Sequence, residues 1–466
     1  MTVSVSSGAP RPDIAADVVV VGGGACGLTA ALAAADAGAE VVVLERDASP
    51  SGSTAMSSGF IPAPGSRAQA AAGATGDSVD AFLADISAKT KGQGDADLAR
   101  LAATRIGPAM DWLAEAHGLE WQVLTDFLYP GHSHHRMHAV PEKTGAALMV
   151  RLLAAVEAAG VTVVTEARVT TLHRQHGRIL AVTAERPGGA EETVACGALI
   201  LACNGYGGNP DLVRRYIPEI ADGAYYGHVG NTGDALLWGE ALKAATGHLS
   251  GYQGHGSLAH PHGILVTWAL MMEGAIQVNA HGQRFSNEHG GYSEQATAVL
   301  AQPGGVAWNV YDQPRHAFGL GFPDYVQAVE AGAVREAPDL ASLAAVTGAP
   351  EAALAESLVA AGASHAGSPD AFGRDFTTKP PLTPPYFAVR VTGALFHTQG
   401  GLMIDDSARV LGEDGHPFPN LFAGGGAACG VSGPDVSGYL SGNGLLTAIA
   451  FGAVAGEAAG RLTCGA

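Results

Sequence analysis

Two glycine-rich segments, one near each end of the chain, carry the clearest chemistry. Asp17-Val18-Val19-Val20-Val21 runs into Gly22-Gly23-Gly24-Ala25-Cys26-Gly27. The spacing Gly22-x-Gly24-x-x-Gly27 suits a dinucleotide. The first glycine permits a sharp turn, the second lets backbone approach a pyrophosphate, and the third lets helix and strand pack closely. A helix starting here, through Ala25, offers unpaired N–H groups and the positive end of its dipole to phosphate. Glu45 closes the next strand-like run, Glu40-Val41-Val42-Val43-Leu44. A carboxylate there can accept both ribose hydroxyls and repels a 2′-phosphate, which favours FAD or NAD over NADP.

Near the other end, Gly424-Gly425-Gly426 and Gly442-Asn443-Gly444-Leu445-Leu446 read as a second cofactor contact. A helix starting near Gly444 aims its N–H groups at an electron-rich ring oxygen. Reduced flavin is anionic at that edge, so the dipole favours FAD.

The elements that must position these groups follow from the pattern. The valine run 17–21 is a strand buried on both faces. An alanine-rich helix covers about 28–37, and 40–44 is the second strand. Helical patterns span 78–91, 95–104, 108–117 and 146–159; 162–165, 199–203, 401–404 and 421–423 read as strands, and a final helix covers about 444–462. Composition shifts near residue 250. The fold class is α/β: a discontinuous Rossmann-like FAD-binding domain (1–249 and 397–466) interrupted by an inserted α+β substrate-capping domain (250–396).

The 466 residues carry 25 Lys and Arg against 44 Asp and Glu, a net charge of −19. A nucleic-acid backbone is repelled by such a chain. Five scattered cysteines read as free buried thiols of a reducing compartment. Residues 1–17 form a polar arm without a signal-peptide pattern, and no apolar stretch is expected to span a bilayer. The expectation is a soluble, cytoplasmic protein.

Together these segments resemble the flavoprotein subunits of fumarate reductase and succinate dehydrogenase, a superfamily that includes 3-ketosteroid Δ1-dehydrogenases and related ketone desaturases. The resemblance rests on 18–27 with Glu45, 52–59, 199–207, Gly233-Asp234, Gly282-Gln283-Arg284-Phe285-Ser286-Asn287-Glu288, His397-Thr398-Gln399-Gly400-Gly401-Leu402 and 421–446. It implies FAD and a mobile cap. It adds Arg46, Ser53, Thr54, Ser58 and Gly59 to Gly22, Gly24, Ala25, Gly27, Glu45, Gly424, Asn443, Leu445 and Leu446 as cofactor contacts. Family members with covalent flavin use a histidine in the segment matching 51–58, where this chain has Ser53 and Thr54, so the FAD is expected to be non-covalent.

The catalytic positions separate the subfamilies. Two histidines that hold a dicarboxylate in fumarate reductases match His255 and His397. The proton-donor arginine matches Tyr292, and a second binding arginine matches Tyr439. Losing two guanidiniums removes the clamps a dicarboxylate needs. A phenol can polarise a ketone or, with a lowered pKa, take a weakly acidic proton. The expected reaction is desaturation of a saturated, cyclic ketone. His397 or Tyr439 bonds the carbonyl oxygen, Tyr292 removes the α-proton, and the β-hydride passes to the flavin. Reduction of an unsaturated carboxylate, fumarate-like, with His255 and His397 is the alternative.

The loop His132, His134, His135 and His138 lacks partner acids or cysteines, so no metal is expected. In relatives this loop lies over the flavin. Arg136 is therefore a candidate for holding one carboxylate, as on a 4-oxocyclohexanecarboxylate, with Gly442 also against substrate. Tyr129, Trp121 and Trp268 either line an apolar pocket or belong to the core. Without a haem-attachment CxxCH motif, electrons are expected to leave to a separate, unidentified acceptor.

Overall fold

The computed structural model describes residues 3–126 and 128–465. It divides into two compact units. The first comprises Met1–Tyr216, Gly227–Tyr252 and His397–Ala466; the second comprises Ile217–Tyr226 and Gln253–Phe396. The short segment Ile217–Tyr226 groups with the second unit, which composition did not reveal.

The first unit is built on a sheet of nine strands among the described residues. At its centre Ile14–Val21 lies parallel to Val41–Leu44 on one side and to Glu191–Leu201 on the other. Val18, Val19, Val20 and Val43 are fully buried, as expected of parallel strands covered on both faces. Pro417–Ala423 also runs parallel to Glu191–Leu201. The register pairs Val21 with Leu44 and with Leu201, and Leu201 with Ala423. All four strands therefore end level, and Gly22, Glu45, Ala202 and Gly424 leave the sheet at one edge. The carboxyl edge of such a sheet, where connections diverge, is where ligands bind.

Three expectations need correction. Residues 4–7 of the polar arm form an edge strand, Ser4–Ser7, parallel to Arg168–Gln175. The helices expected at 95–104 and 108–117 are one, Ala96–His117, with Pro108 inside it. Its buried face (Leu98, Ala102, Ile106, Ala109, Leu113) runs unbroken through the proline. That burial outweighs the hydrogen bond that Pro108 cannot donate. The final helix spans Asn443–Cys464. Among the cysteines, Cys464 is exposed rather than buried.

The helix Asn443–Cys464 is long and apolar enough to cross a membrane, and 72% of its apolar window is buried. It packs on the helix Ala25–Asp36 through a stripe of glycines. A Cβ on Gly452 would stand 2.6 Å from the Cys26 carbonyl oxygen, one on Gly460 2.9 Å from that of Ala34, and one on Gly456 would overlap that of Ala30. The sequence reading missed this stripe because its four-residue spacing is hidden among alanines.

The second unit has a seven-stranded sheet among the described residues, with Tyr386–Thr398 between Tyr252–Ala259 and Val306–Asp312. Beside the sheet, Arg284 pairs with Glu288 at 2.7 Å and with Asp370 at 2.6 Å, and Arg374 reaches Glu288 at 3.0 Å. These arginines are buried and committed to carboxylates.

The glycine stripe gives a direct test. Gly456→Val should destabilise the protein by about 1–3 kcal/mol, the usual cost of overpacking, seen as a lower urea midpoint. The same substitution at Gly348, where a Cβ meets nothing within 4 Å but φ is +70°, reports backbone strain alone.

Candidate active site

At the sheet edge the three motif glycines differ in what demands them. Gly22 has φ +106°, and a Cβ would stand 2.6 Å from the Ala202 carbonyl oxygen. A Cβ on Gly27 would overlap the Gly22 carbonyl. The fold requires both. Gly24 has an ordinary φ of −79°, and the nearest atom to its Cβ would be Thr54 Oγ1 at 3.6 Å. Among the described residues no other atom comes within 4 Å of that point, beside the first turn of the helix Ala25–Asp36. Glu45 lies over the same turn: its Oε2 accepts the Gly23 N–H at 2.7 Å and its Oε1 the Asp47 N–H at 2.9 Å.

The segment around 51–59 is tied to this edge. The Ala25 N–H donates to Thr54 Oγ1 at 3.2 Å. Ser53 Oγ accepts from the amides of Asn204 at 3.2 Å and Asn231 at 2.8 Å. Ser58 is half-buried, and Gly59 turns at φ +72° against Thr144. Arg46 donates to the Gly230 carbonyl at 2.6 Å. Gly424 lies against the Cys26 thiol, where a Cβ would sit 2.7 Å from Sγ. Asn204 and Asn231 were missed as ligands of this segment; only a match of the 199–207 run to its relatives pointed near them.

The helix Asn443–Cys464 begins at Gly442, with φ +86° and Pro62 Cδ 2.6 Å from where a Cβ would be. The fold alone thus accounts for Gly442, which the sequence reading placed against substrate. Leu446 is fully buried and its N–H is bonded to the Gly442 carbonyl at 2.9 Å. The N–H groups of Gly444 and Leu445 have no helical carbonyl four residues back. Asn443 is buried, and its Oδ1 has no hydrogen-bond partner among the described residues.

His397 and Tyr439 come together beside this helix start, ring centroids 5.5 Å apart and edge to face. A Cβ on Gly444 would lie 2.8 Å from His397 Nε2. Burial lowers the His397 pKa to about 4, so the imidazole is neutral at physiological pH. Its Nδ1 lies 2.9 Å from Gln399 Nε2 and 3.3 Å from the Thr398 carbonyl oxygen.

In the second unit His255 and Tyr292 come together. Their rings stack 4.9 Å apart at 26°. Phe396 stacks on the His255 ring from 5.1 Å, and Trp268 meets it edge-on at 5.8 Å. Trp268 is thus part of the histidine's wall as well as of the core. Burial pushes the His255 pKa down to about 3. Its Nδ1 accepts the Ser257 N–H at 3.1 Å, so this imidazole carries its proton on Nε2.

Residues 17–445 match the FAD binding domain family. The chain belongs to that family. It is 29% identical over 462 residues to the probable fumarate reductase Ifc3 of Shewanella frigidimarina (strain NCIMB 400), covering 97% of this chain and 76% of that protein. It is 27% identical to the 4-oxocyclohex-2-ene-1-carboxylate 5-dehydrogenase of Sinomonas cyclohexanicum, covering 96% of this chain and 94% of that one. Among solved structures, the 3-ketosteroid-delta4-(5alpha)-dehydrogenase from Rhodococcus jostii RHA1 matches with a TM-score of 0.77 at 25% identity, covering 97% of this chain and 98% of that one.

The protein is therefore an FAD-dependent oxidoreductase of the fumarate reductase superfamily, acting on carbon–carbon bonds. Its residues fit the cofactor. The space above Gly24 suits a pyrophosphate, and Glu45 suits a ribose. The Gly444 and Leu445 N–H groups beside the partnerless Asn443 Oδ1 suit a ring edge that alternates acceptors with a donor.

One sequence expectation fails outright. Arg136 is fully buried. Its guanidinium bonds Asp77 at 2.7 Å, pairs closely with Asp85 and lies over the Phe82 ring at 4.7 Å. It has no donor left for a substrate carboxylate. Two of the loop histidines are structural as well: His132 Nε2 donates to the Ser441 carbonyl at 3.0 Å, and His138 bonds Ser66 at 2.6 Å. Trp121 donates to the Met110 carbonyl at 2.9 Å, and Tyr129 packs on Phe60.

Two outcomes follow from this site. Acid precipitation should release FAD into the supernatant, because 51–58 offers no histidine; a yellow pellet would contradict that. Arg136→Gln should lower stability at neutral pH by about 3–5 kcal/mol, the usual cost of breaking a buried pair. Burial alone would raise the Asp77 carboxyl, but bonds from Arg136 and Gln69 hold it below its ordinary value. The contribution is therefore present above the ordinary carboxylate range and lost as pH falls through the depressed value. Urea midpoints for both proteins at neutral and acid pH should converge at the acid end.

Proposed function

We propose that this flavoprotein desaturates a saturated cyclic ketone to the α,β-unsaturated ketone. The observation that carries the reading is charge. His397 and His255 are both neutral, with pKa values lowered by burial to about 4 and about 3. The aromatic partner of each is a phenol, Tyr439 and Tyr292. A dicarboxylate calls for cations; a ketone calls for neutral donors.

In this reading the His397 Nε2–H, or the Tyr439 hydroxyl, bonds the carbonyl oxygen and steadies charge as the enolate develops. Tyr292, as the phenolate, takes the α-proton and becomes the phenol. FAD, when bound, accepts the β-hydride. His255 stacks on the Tyr292 ring and holds its orientation. The second unit is assigned substrate recognition. The Sinomonas relative, whose name specifies a cyclic keto carboxylate, supports a ring-shaped substrate. With Arg136 committed to its aspartates, any carboxylate on that ring must be met by another group.

The fumarate-like reading has one point in its favour. Both histidines are retained, in a chain 29% identical to a probable fumarate reductase. The two readings part in a dye-coupled assay that compares cyclic ketones, cyclic keto acids and succinate as donors, and fumarate as acceptor for reduced dye.

Tyr292→Phe should lower kcat by about 10²–10⁴-fold, the usual worth of a positioned base. FAD content should be unchanged. Full turnover in this variant would remove Tyr292 from the mechanism.

A further inference from the structure

The His397 ring is the end of a hydrogen-bond chain that runs through three buried side chains of the first unit. Asn443 Nδ2 donates to Ser432 Oγ at 2.9 Å, and the Ser432 hydroxyl donates to Gln399 Oε1 at 2.6 Å. Gln399 Nε2 then donates to His397 Nδ1 at 2.9 Å. Gln399, Ser432 and Asn443 are all buried. We infer that Gln399 is a positioning residue, oriented by Ser432 and Asn443, that fixes the tautomer of His397 so that Nε2–H is the donor presented to substrate. This rests on the proposed role of His397 toward the carbonyl.

The polarity of the chain decides the argument. Run in reverse, His397 Nδ1–H would donate to Gln399, whose amide would donate to Ser432, whose hydroxyl would donate to Asn443. The Asn443 amide nitrogen would then stand where its Oδ1 now lies, and the helix start would present only donors to a ring edge that needs one acceptor among them. The chain therefore runs from Asn443 toward His397. The Thr398 carbonyl, 3.3 Å from Nδ1, is the competing partner and the more distant one.

The same chain joins the imidazole to the start of the helix Asn443–Cys464. A shift of Asn443 there passes to His397 through three hydrogen bonds. Burial holds the His397 pKa near 4, opposed only by the Thr398 carbonyl. No carboxylate acts on this histidine. Replacing Gln399 by a carboxylate therefore changes one thing: the group at Nδ1 becomes an acceptor only, and the proton must sit on Nδ1.

The test uses FAD-loaded enzyme labelled with ¹⁵N-histidine, with His397→Gln to assign the signal. The expected wild-type result is a protonated Nε2 and a bare Nδ1. Gln399→Glu should place a proton on Nδ1 and move the histidine's titration toward neutral pH. Gln399→Met, which keeps the length but not the bonds, and Ser432→Ala should show mixed tautomers. With a ketone that the wild type oxidises, Gln399→Glu and Gln399→Met should lose about 10²-fold in kcat, the worth of one oriented donor, with little change in KM or FAD content. A wild-type proton on Nδ1, or Gln399→Met with wild-type kcat and tautomer, overturns the inference. The tautomer measurement needs no substrate, so it stands apart from the ketone assay: failure of every ketone would sink the proposed reaction and leave the tautomer result to decide this chain alone.

Discussion

The first unit depends on how closely two helices approach. Ala25–Asp36 and Asn443–Cys464 are separated by about 400 residues of chain, yet Gly452, Gly456 and Gly460 leave no room for a Cβ between them. That contact brings the start of the C-terminal helix to the sheet edge where Gly22, Glu45 and Gly424 emerge. The two glycine-rich segments proposed to hold the cofactor come from opposite ends of the sequence for this reason. Small side chains give up hydrophobic area here, and the gain is closeness: backbone on backbone, with the surrounding core supplying the burial.

The parts of this arrangement that were legible in the sequence are those that backbone geometry forces. Gly22 and Gly27 have no alternative residue, and a doubly buried strand has to read as consecutive valines. The flavin family followed from several such segments in order. Side-chain partnerships were not legible. Arg136 stands in a loop of histidines and looks available. Its partners Asp77 and Asp85 lie more than fifty residues earlier and give no local signal. Pro108 marks a break by its own preference, but tertiary burial along the whole face overrides it. Gln399 stood in plain sight within His397-Thr398-Gln399-Gly400-Gly401, yet its role needs Ser432 and Asn443 to be seen beside it.

The proposed chemistry turns on two neutral histidines, each beside a phenol. Burial drives both imidazoles to their neutral form; the Ser257 N–H selects the Nε2–H tautomer of His255, and Gln399 is inferred to select the same one for His397. Each is then a neutral N–H donor next to a phenol. The arginines of the second unit that might have supplied charge are bound to Glu288, Asp370 and Asp312. A carbonyl oxygen that gains charge only as the reaction proceeds is better matched to such donors than a dianion bound in its ground state.

The most direct measurement is anaerobic mixing of the oxidised FAD enzyme with single substrates, followed by the flavin absorbance. The account predicts that a saturated cyclic ketone bleaches the flavin and succinate leaves it oxidised. Bleaching by succinate, with every cyclic ketone inert, would contradict it.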